Sequence, residues 1–220
     1  MLSLIKKLPV LIYDFFISTF LTIAAHVQMI DNMTLLKGNF LDVGCGTGAP
    51  LKKIVDKLET YYTKIVGVDL HTEYTQKAQE VFQADPRVEI HNCDFYDIKQ
   101  VVGSRKFSTI FFSFSFMLMP EHIKALMLSQ SILEKDGRIC FLMTLNKKGF
   151  PLLEKIKPLI KKITTVDFGK VVYEREFDEV LEIANLETVK KVRIQTFLNP
   201  FLYIFPVYYV ECKVKGWEGK

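Results

Sequence analysis

Apolar runs of strand length alternate with amphipathic segments along most of the chain. These runs span residues 39–43, 64–70, 87–91, 106–113 and 138–144. Segments with helical spacing of apolar residues span 51–58, 72–84, 122–133 and 175–184. Strands that alternate with helices are typical of proteins in which helices cover both faces of a mostly parallel sheet. The pattern therefore predicts an α/β fold.

The C-terminal third adds two further β runs, 188–197 and 203–215, joined by an Asn-Pro pair that is typical of a turn. Ahead of them, residues 152–163 place apolar side chains on one helical face and lysines on the other. Pro158 predicts a kink in this helix. A basic amphipathic helix of this kind lies either on the protein surface or on an anionic membrane.

The N-terminal segment 8–25 is almost continuously apolar and follows two lysines. A run of this length is compatible with a membrane span, a targeting segment or a buried helix. Asp14 disfavours a span, because an acidic residue at the centre of a membrane helix costs about 2.5–3.5 kcal/mol. The polar residues at 26–32 then interrupt the apolar run. A buried helix is the favoured interpretation, and the other two stay open.

Length and composition narrow the function classes. The chain has 220 residues, enough for one well-buried domain. Its net charge of +4 is too small to favour a nucleic-acid partner. The cysteines lack the Cys-x-x-Cys spacing of zinc and redox sites. We therefore expect free thiols, no metal site and a reducing intracellular compartment, with the cytoplasm favoured over a mitochondrial or membrane-associated location.

A glycine-rich turn follows the first apolar run. Gly44, Gly46 and Gly48 alternate after Asp42. Glycine adopts backbone angles that are closed to other residues, and it lets a ligand approach the main chain. The helix that follows would present its positive N-terminal end to a carboxylate. The turn therefore predicts a nucleoside-like ligand.

A dinucleotide-binding fold is one interpretation of this turn. The first two glycines and Ala49 satisfy the Gly-x-Gly-x-x-Gly/Ala pattern, with Asp69 about 20 residues further on. However, the carboxylate of Asp42 beside the turn suits a cationic ligand better than a pyrophosphate. A further acid, Asp94, follows the next strand. These acids favour a different class of nucleoside ligand.

Residues 41–48 resemble the first motif of the class I S-adenosylmethionine-dependent methyltransferases, and the resemblance extends to about Met143. Residues 67–70 match the second motif of this family. The resemblance implies a Rossmann-like, doubly wound, seven-stranded and mostly parallel sheet, closed by an antiparallel last strand. Family members carry helices ahead of the first strand that cover the ligand pocket. We therefore expect a helical lid over residues 1–36 and a methyltransferase domain over 37–220.

The same resemblance places S-adenosylmethionine, with S-adenosylhomocysteine as product, at the turn and the neighbouring strand ends. By this resemblance Asp69 accepts hydrogen bonds from the ribose hydroxyls and Asp94 accepts one from the adenine amino group. Phe95 supplies a backbone contact and apolar cover. The expected cofactor-binding residues are Asp42, Gly44, Cys45, Gly46, Gly48, Asp69, Leu70, Asp94, Phe95 and Ser113.

The stretch 113–120 bears on the methyl acceptor. Family members that act on amide or base nitrogens carry Asn/Asp-Pro-Pro-Tyr/Phe here, whereas this chain reads Ser-Phe-Ser-Phe-Met-Leu-Met-Pro. The apolar sequence resembles the small-molecule branch and favours a hydrophobic acceptor such as a quinone or a lipid precursor. Acidic acceptor atoms need a base. Candidate catalytic residues by expected location are Asp14, Tyr13 and His122, followed by His71 and Tyr173.

The expected partner is thus a small-molecule acceptor and not a nucleic acid. Peripheral membrane contact and membership of a larger complex are alternatives, and the oligomeric state is open. A second function class is a binding or assembly subunit that keeps the fold without turnover. The intact set of glycines and acids favours an active enzyme.

Overall fold

The computed structural model describes residues 22–146, 172–194 and 206–217. Within these ranges the elements are α1 (Ile23–Ile30), β1 (Gly38–Val43), α2 (Ala49–Leu58), β2 (Tyr62–Asp69), α3 (Thr72–Phe82), β3 (Val88–Asn92), α4 (Ile98–Val102), β4 (Phe107–Ser113), α5 (His122–Ile132), β5 (Leu133–Thr144), α6 (Glu174–Ile183), β6 (Leu186–Arg193) and β7 (Val207–Val214). Short 3₁₀ helices, Phe95–Asp97 and Phe116–Leu118, follow β3 and β4. Helices and strands alternate up to β5, as the apolar pattern predicts.

The described strands form one sheet in the order β3-β2-β1-β4-β5-β7-β6. Strands β1 to β5 pair in parallel, and β7 runs antiparallel to both β5 and β6. This topology confirms the predicted Rossmann-like sheet with its antiparallel closure. The usual dinucleotide-binding sheet has no antiparallel strand inserted next to its fifth strand. The dinucleotide interpretation is therefore wrong for this chain.

Helix α2 begins directly after the glycine turn. Gly48 is its N-cap and has a left-handed φ of 74°. Pro50 follows in the first turn, where a missing N–H breaks no helical hydrogen bond. The helix buries the apolar side that its spacing predicts, namely Leu51, Ile54, Val55 and Leu58. Because α2 follows the end of β1 directly, its N-terminus lies at the carboxyl edge of the sheet.

Strand β5 begins at Leu133, earlier than the predicted residue 138. Leu133 pairs with Phe107, and after an irregularity Arg138 pairs with Thr109. Asp136, in the segment predicted as a turn, has a φ of 64°. The predicted turn is therefore present as an interruption of the strand pairing, not as a loop before the strand.

Apolar side chains form a core on each face of the sheet. In the first cluster, Phe112 and Phe141 stack with centroids 5.5 Å apart, and Phe177 of α6 contacts Phe141 edge-on at 5.1 Å. The second cluster joins Phe40 and Phe111 to apolar residues of α1, α2 and α3. Successive strand residues point to opposite faces, so neighbouring positions such as Phe111 and Phe112 enter different clusters.

Helix α1 contributes Met29 and Ile30 to the second cluster. It is the described part of the predicted lid over residues 1–36. The candidate catalytic residues Tyr13 and Asp14 lie outside the described residues, as does the helix predicted at 152–163. Among helices in the described ranges, none is long and apolar enough to cross a membrane.

Candidate functional site

The glycine turn lies at the carboxyl edge of the sheet, between β1 and α2. Gly44 and Gly46 have φ values of 77° and 55°, which residues with a Cβ rarely adopt. The N–H groups of Gly44 and Cys45 donate to Val68 O at 2.8 and 3.1 Å, which ties the turn to β2. A Cβ at Gly46 would meet no atom within 4 Å. The main chain at Gly46 is therefore open to a ligand.

The loop after β4 packs directly against Gly44. A Cβ at Gly44 would clash with Ser115 Cβ at a separation below 3.0 Å. Ser115 Oγ donates to Val43 O, which holds the loop in place. Phe114 has a φ of 52°, an unusual value for a bulky residue. Backbone strain of this kind is concentrated at functional sites, where the surrounding structure imposes it.

Asp69 ends β2 and holds the glycine turn through its side chain. Its Oδ2 accepts a hydrogen bond from Gly46 N–H at 2.9 Å, and its Oδ1 accepts one from His71 N–H at 2.9 Å. The Nδ1 atom of the His71 ring lies 3.3 Å from the same Oδ1. The Asp69 side chain remains 11% exposed. Its carboxylate is thus fixed beside the open main chain of Gly46.

Asp42 is buried behind the turn, with only 2% of its surface exposed. Its Oδ1 has no hydrogen-bond partner among the described residues. Burial is the main cause that raises the pKa of the Asp42 carboxyl to about 7, and the nearby negative charge of Asp69 adds to it. A buried carboxyl that lacks a partner is costly, and a donor or a positive charge on a ligand would relieve that cost.

Of the other predicted cofactor-binding residues at the carboxyl edge of the sheet, some are exposed and others are buried in the core. Asp94 Oδ1 accepts from Tyr96 N–H at 2.9 Å and caps the 3₁₀ helix. Phe95 is buried in the first cluster, whereas Leu70 is 63% exposed. Cys45 is buried, and its burial raises the pKa of the thiol, which keeps it protonated. The role of Asp94 toward the adenine stays a prediction.

Ser113, at the end of β4, is paired with a buried histidine from α1. Ser113 Oγ lies 2.8 Å from His26 Nε2, and His26 Nδ1 lies 2.6 Å from Thr22 O. The His26 ring packs edge-on against Phe111 at 5.7 Å between centroids. Burial lowers the pKa of His26 to about 4, so its imidazole is neutral near pH 7. No local sequence pattern indicates this pair, because the two residues are far apart along the chain.

His122, a predicted catalytic candidate, begins α5 and stacks on Phe116 at 4.6 Å between ring centroids. Phe116 belongs to the first cluster, whereas His26 packs against Phe111 of the second. The structure therefore does not bring His122 together with the Ser113–His26 pair. His71 is instead adjacent to Asp69, with its side chain 70% exposed.

The raised pKa of Asp42 predicts a pH-dependent stability. Between its ordinary value of 3.8 and about 7, folded Asp42 keeps a proton that the unfolded chain releases. The free energy of unfolding therefore falls as the pH rises through this interval. We expect the free energy of unfolding of Asp42→Asn, relative to that of wild type, to rise by about 2 kcal/mol between about pH 4 and pH 8. The full pKa shift sets an upper limit of about 4 kcal/mol.

Denaturant titrations at both pH values, without ligand, measure this difference. Asp56→Asn is the matched control, because Asp56 is exposed on α2. An Asp42→Asn variant whose advantage over wild type is equal at both pH values would refute the raised pKa.

Comparison with known proteins agrees with this geometry. The methyltransferase domain family model matches residues 40–137. A SAM-dependent methyltransferase from Aquifex aeolicus superposes with a TM-score of 0.64 at 19% identity, covering 96% of each chain. Residues 40–137 are thus similar to the methyltransferase domain family, and the described sheet has the fold of S-adenosylmethionine-dependent methyltransferases. The cofactor of this methyltransferase family is S-adenosylmethionine.

The chain is also similar to two methyltransferases of known substrate class. A geranyl diphosphate C-methyltransferase from Streptomyces coelicolor, in complex with Mg²⁺, geranyl diphosphate and S-adenosyl-L-homocysteine, matches with a TM-score of 0.66 at 12% identity, over 86% of this chain and 78% of that chain. Malonyl-[acyl-carrier protein] O-methyltransferase 1 from Ilyobacter polytropus is 27% identical over 150 residues, which are 67% of this chain and 51% of the relative. The chain thus spans about half the length of this curated relative.

Proposed function

We propose that the protein transfers a methyl group from S-adenosylmethionine to a small hydrophobic acceptor, quinone-like or lipid-like, by in-line displacement. The observation that carries this proposal is the arrangement at the glycine turn. The main chain at Gly46 is open, the carboxylate of Asp69 lies beside it, and Asp42 Oδ1 lacks a partner among the described residues. These groups fit a ligand that carries ribose hydroxyls and a positive charge.

The turn and the neighbouring strand ends would hold the cofactor. Asp69 would accept hydrogen bonds from the ribose hydroxyls, and charge-assisted bonds of this kind are strong. Asp42 favours a cationic group, and the start of α2 favours a carboxylate. The bound cofactor supplies a methyl group that its sulfonium makes electrophilic. The protein's own residues then orient the acceptor and exclude water.

Apolar side chains in the segment after β4 support a hydrophobic acceptor. Leu118 is 51% exposed, and Met117 and Met119 are partly buried against the first cluster. Phe114 is partly buried and packs against the second cluster. The similarity to a malonyl-[acyl-carrier protein] O-methyltransferase adds support for a lipid-like acceptor.

Transfer of a tritiated methyl group to an extract of the native host tests the proposal. We expect the label in the organic phase, because the acceptor is small and apolar. Label that stays with aqueous macromolecules would overturn the choice of acceptor. Binding of S-adenosylhomocysteine with no labelled product in any phase would favour a binding or assembly subunit instead.

A further inference from the structure

The Ser113–His26 pair has a fixed hydrogen-bond direction. Thr22 O is a carbonyl oxygen and can only accept, so His26 Nδ1 at 2.6 Å must carry the proton. A neutral imidazole has one N–H group, which leaves Nε2 as an acceptor. The partner of Nε2 at 2.8 Å is Ser113 Oγ, whose hydroxyl must therefore donate to it. The bonds run in one direction from Ser113 through His26 to Thr22.

The neutral form of the ring is enforced by its surroundings. His26 is 1% exposed and packs edge-on against Phe111. The described groups that face the ring nitrogens are a carbonyl and a hydroxyl, and neither carries a charge. Burial lowers the pKa of His26 to about 4. The imidazole therefore stays neutral at physiological pH.

The direction of these bonds restricts what can bind at Ser113. A serine hydroxyl has one proton and two lone pairs. Its proton is engaged by His26, so toward a ligand Ser113 Oγ can act only as an acceptor. Ser113 is partly exposed, whereas His26 is buried. The exposed side of the pair therefore suits a ligand that donates a hydrogen bond.

The strand register places Ser113 next to the cofactor turn. In the β1–β4 pair, Asp42 lies opposite Phe111 and Val43 opposite Phe112. Ser113 is one residue beyond this last pair, beside Gly44 and the start of the turn. The strained Phe114, with a φ of 52°, follows immediately. Ser113 thus stands between the turn and α1, on the sheet face that α1 covers.

We propose that Ser113 Oγ, held by His26, is a subsite that accepts a hydrogen bond from an O–H or N–H group of the methyl acceptor. The subsite rests on the proposed methyl transfer. Ser113, which the family resemblance assigned to the cofactor, contacts the acceptor in this proposal, and His26 is a positioning residue that acts through Ser113. A free carboxylate has no proton to donate and would face the lone pairs of Ser113, so a carboxylate is disfavoured at this position.

The bond direction is tested by NMR of the full-length protein labelled with ¹⁵N-histidine. His26 is expected to be neutral and protonated on Nδ1 at pH 7. Ser113→Ala is expected to shift the Nε2 resonance, because Nε2 loses its donor. Ser108→Ala is the matched control, since Ser108 lies at the other end of β4 and donates to Asn39 O. An Nε2-protonated ring or an imidazolium at pH 7 would overturn the proposal.

The class of ligand is tested by acetylation of the acceptor pool. Acetic anhydride blocks O–H and N–H groups in an organic extract of the native host, and aqueous work-up regenerates free carboxylates. Methyl label transferred by wild type is expected to fall at least about tenfold after acetylation, since the donor group is lost. Undiminished labelling would overturn the proposal.

Titration with S-adenosylhomocysteine shows whether the group that donates a hydrogen bond to Ser113 belongs to the methyl acceptor or to the cofactor. The dissociation constants of Ser113→Ala and Ser108→Ala are expected to agree within about twofold. Tenfold weaker binding by Ser113→Ala alone would assign Ser113 to the cofactor and overturn the proposal. If wild type neither binds the cofactor nor labels any acceptor, the proposed function fails and the subsite's role fails with it. The NMR result then shows separately whether the bond direction is correct.

Discussion

Gly44→Ala is expected to lower the free energy of unfolding by about 2–5 kcal/mol. Its φ of 77° costs an L-residue about 1–2 kcal/mol. The added Cβ would also clash with Ser115 Cβ, and overpacking of this kind costs about 1–3 kcal/mol. Ser115 is anchored on Val43 O, so the clash cannot be relieved by rotating a flexible side chain. Denaturant unfolding measures the loss.

Gly46→Ala separates the turn's stability from its ligand binding. Gly46 has a similar positive φ of 55°, but its added Cβ would meet no atom within 4 Å. We expect this variant to lose only the conformational cost of about 1–2 kcal/mol. Its methyl group would occupy the open space of the turn, so binding of S-adenosylhomocysteine should fall steeply. Equal destabilisation by the two substitutions would show that the clash at Gly44 is not real.

Glu211→Ala is expected to cost about 3–5 kcal/mol of stability, the usual result of breaking a buried ion pair. Glu211 is fully buried in β7, and its Oε1 lies 3.4 Å from Arg138 Nε. Its Oε2 accepts from Tyr209 OH at 2.8 Å and from Thr34 N–H at 3.2 Å. The substitution would leave the Arg138 guanidinium without its charge partner, and the Tyr209 hydroxyl and the Thr34 N–H without their carboxylate acceptor.

Two further variants define the origin of this effect. Glu211→Gln keeps an acceptor oxygen and should lose less stability than Glu211→Ala. Glu187→Ala removes a partly exposed pair with Lys213 at 3.0 Å and should cost less than about 1 kcal/mol. Thr34 connects α1 to β1, so Glu211→Ala should also loosen the helix that carries His26. A loss in Glu211→Ala no larger than that in Glu187→Ala would contradict the role of the buried pair.

The fold could be predicted largely from local patterns. Apolar runs bounded by charges and glycines locate β1 to β4, because a buried parallel strand needs little beyond continuous apolar side chains. The start of β5 was missed, since Lys135 to Gly137 have the composition of a turn and their strand pairing is not local. The antiparallel β7 followed from the family resemblance, not from the pattern itself.

Some residues of the candidate site could be predicted from local sequence, and others could not. The glycines and Asp42 are adjacent in sequence, and Asp69 ends the next strand, so one motif locates all of them. The proposed role of His26 depends on its contact with Ser113, which lies far along the chain. The residues around His26 in the sequence do not distinguish it from any other histidine in an apolar helix. Glu211 and Arg138 are likewise paired only by the sheet. Contacts between distant segments set both pairs, and hydrophobic periodicity carries no information about them.

Calorimetric titration of the folded, full-length protein with S-adenosylhomocysteine tests the central claim most directly. We expect saturable binding with a dissociation constant of about 1–100 μM, a range usual for metabolic ligands. Asp69→Ala should weaken it by about 1–3 kcal/mol, because the charge-assisted bonds to the ribose are lost. Asp85→Ala removes a similar local bond, to Arg87 N–H at 3.0 Å and away from the turn, and should bind like wild type. No heat of binding with wild type, or equal affinity in Asp69→Ala, would contradict a cofactor site at this glycine turn.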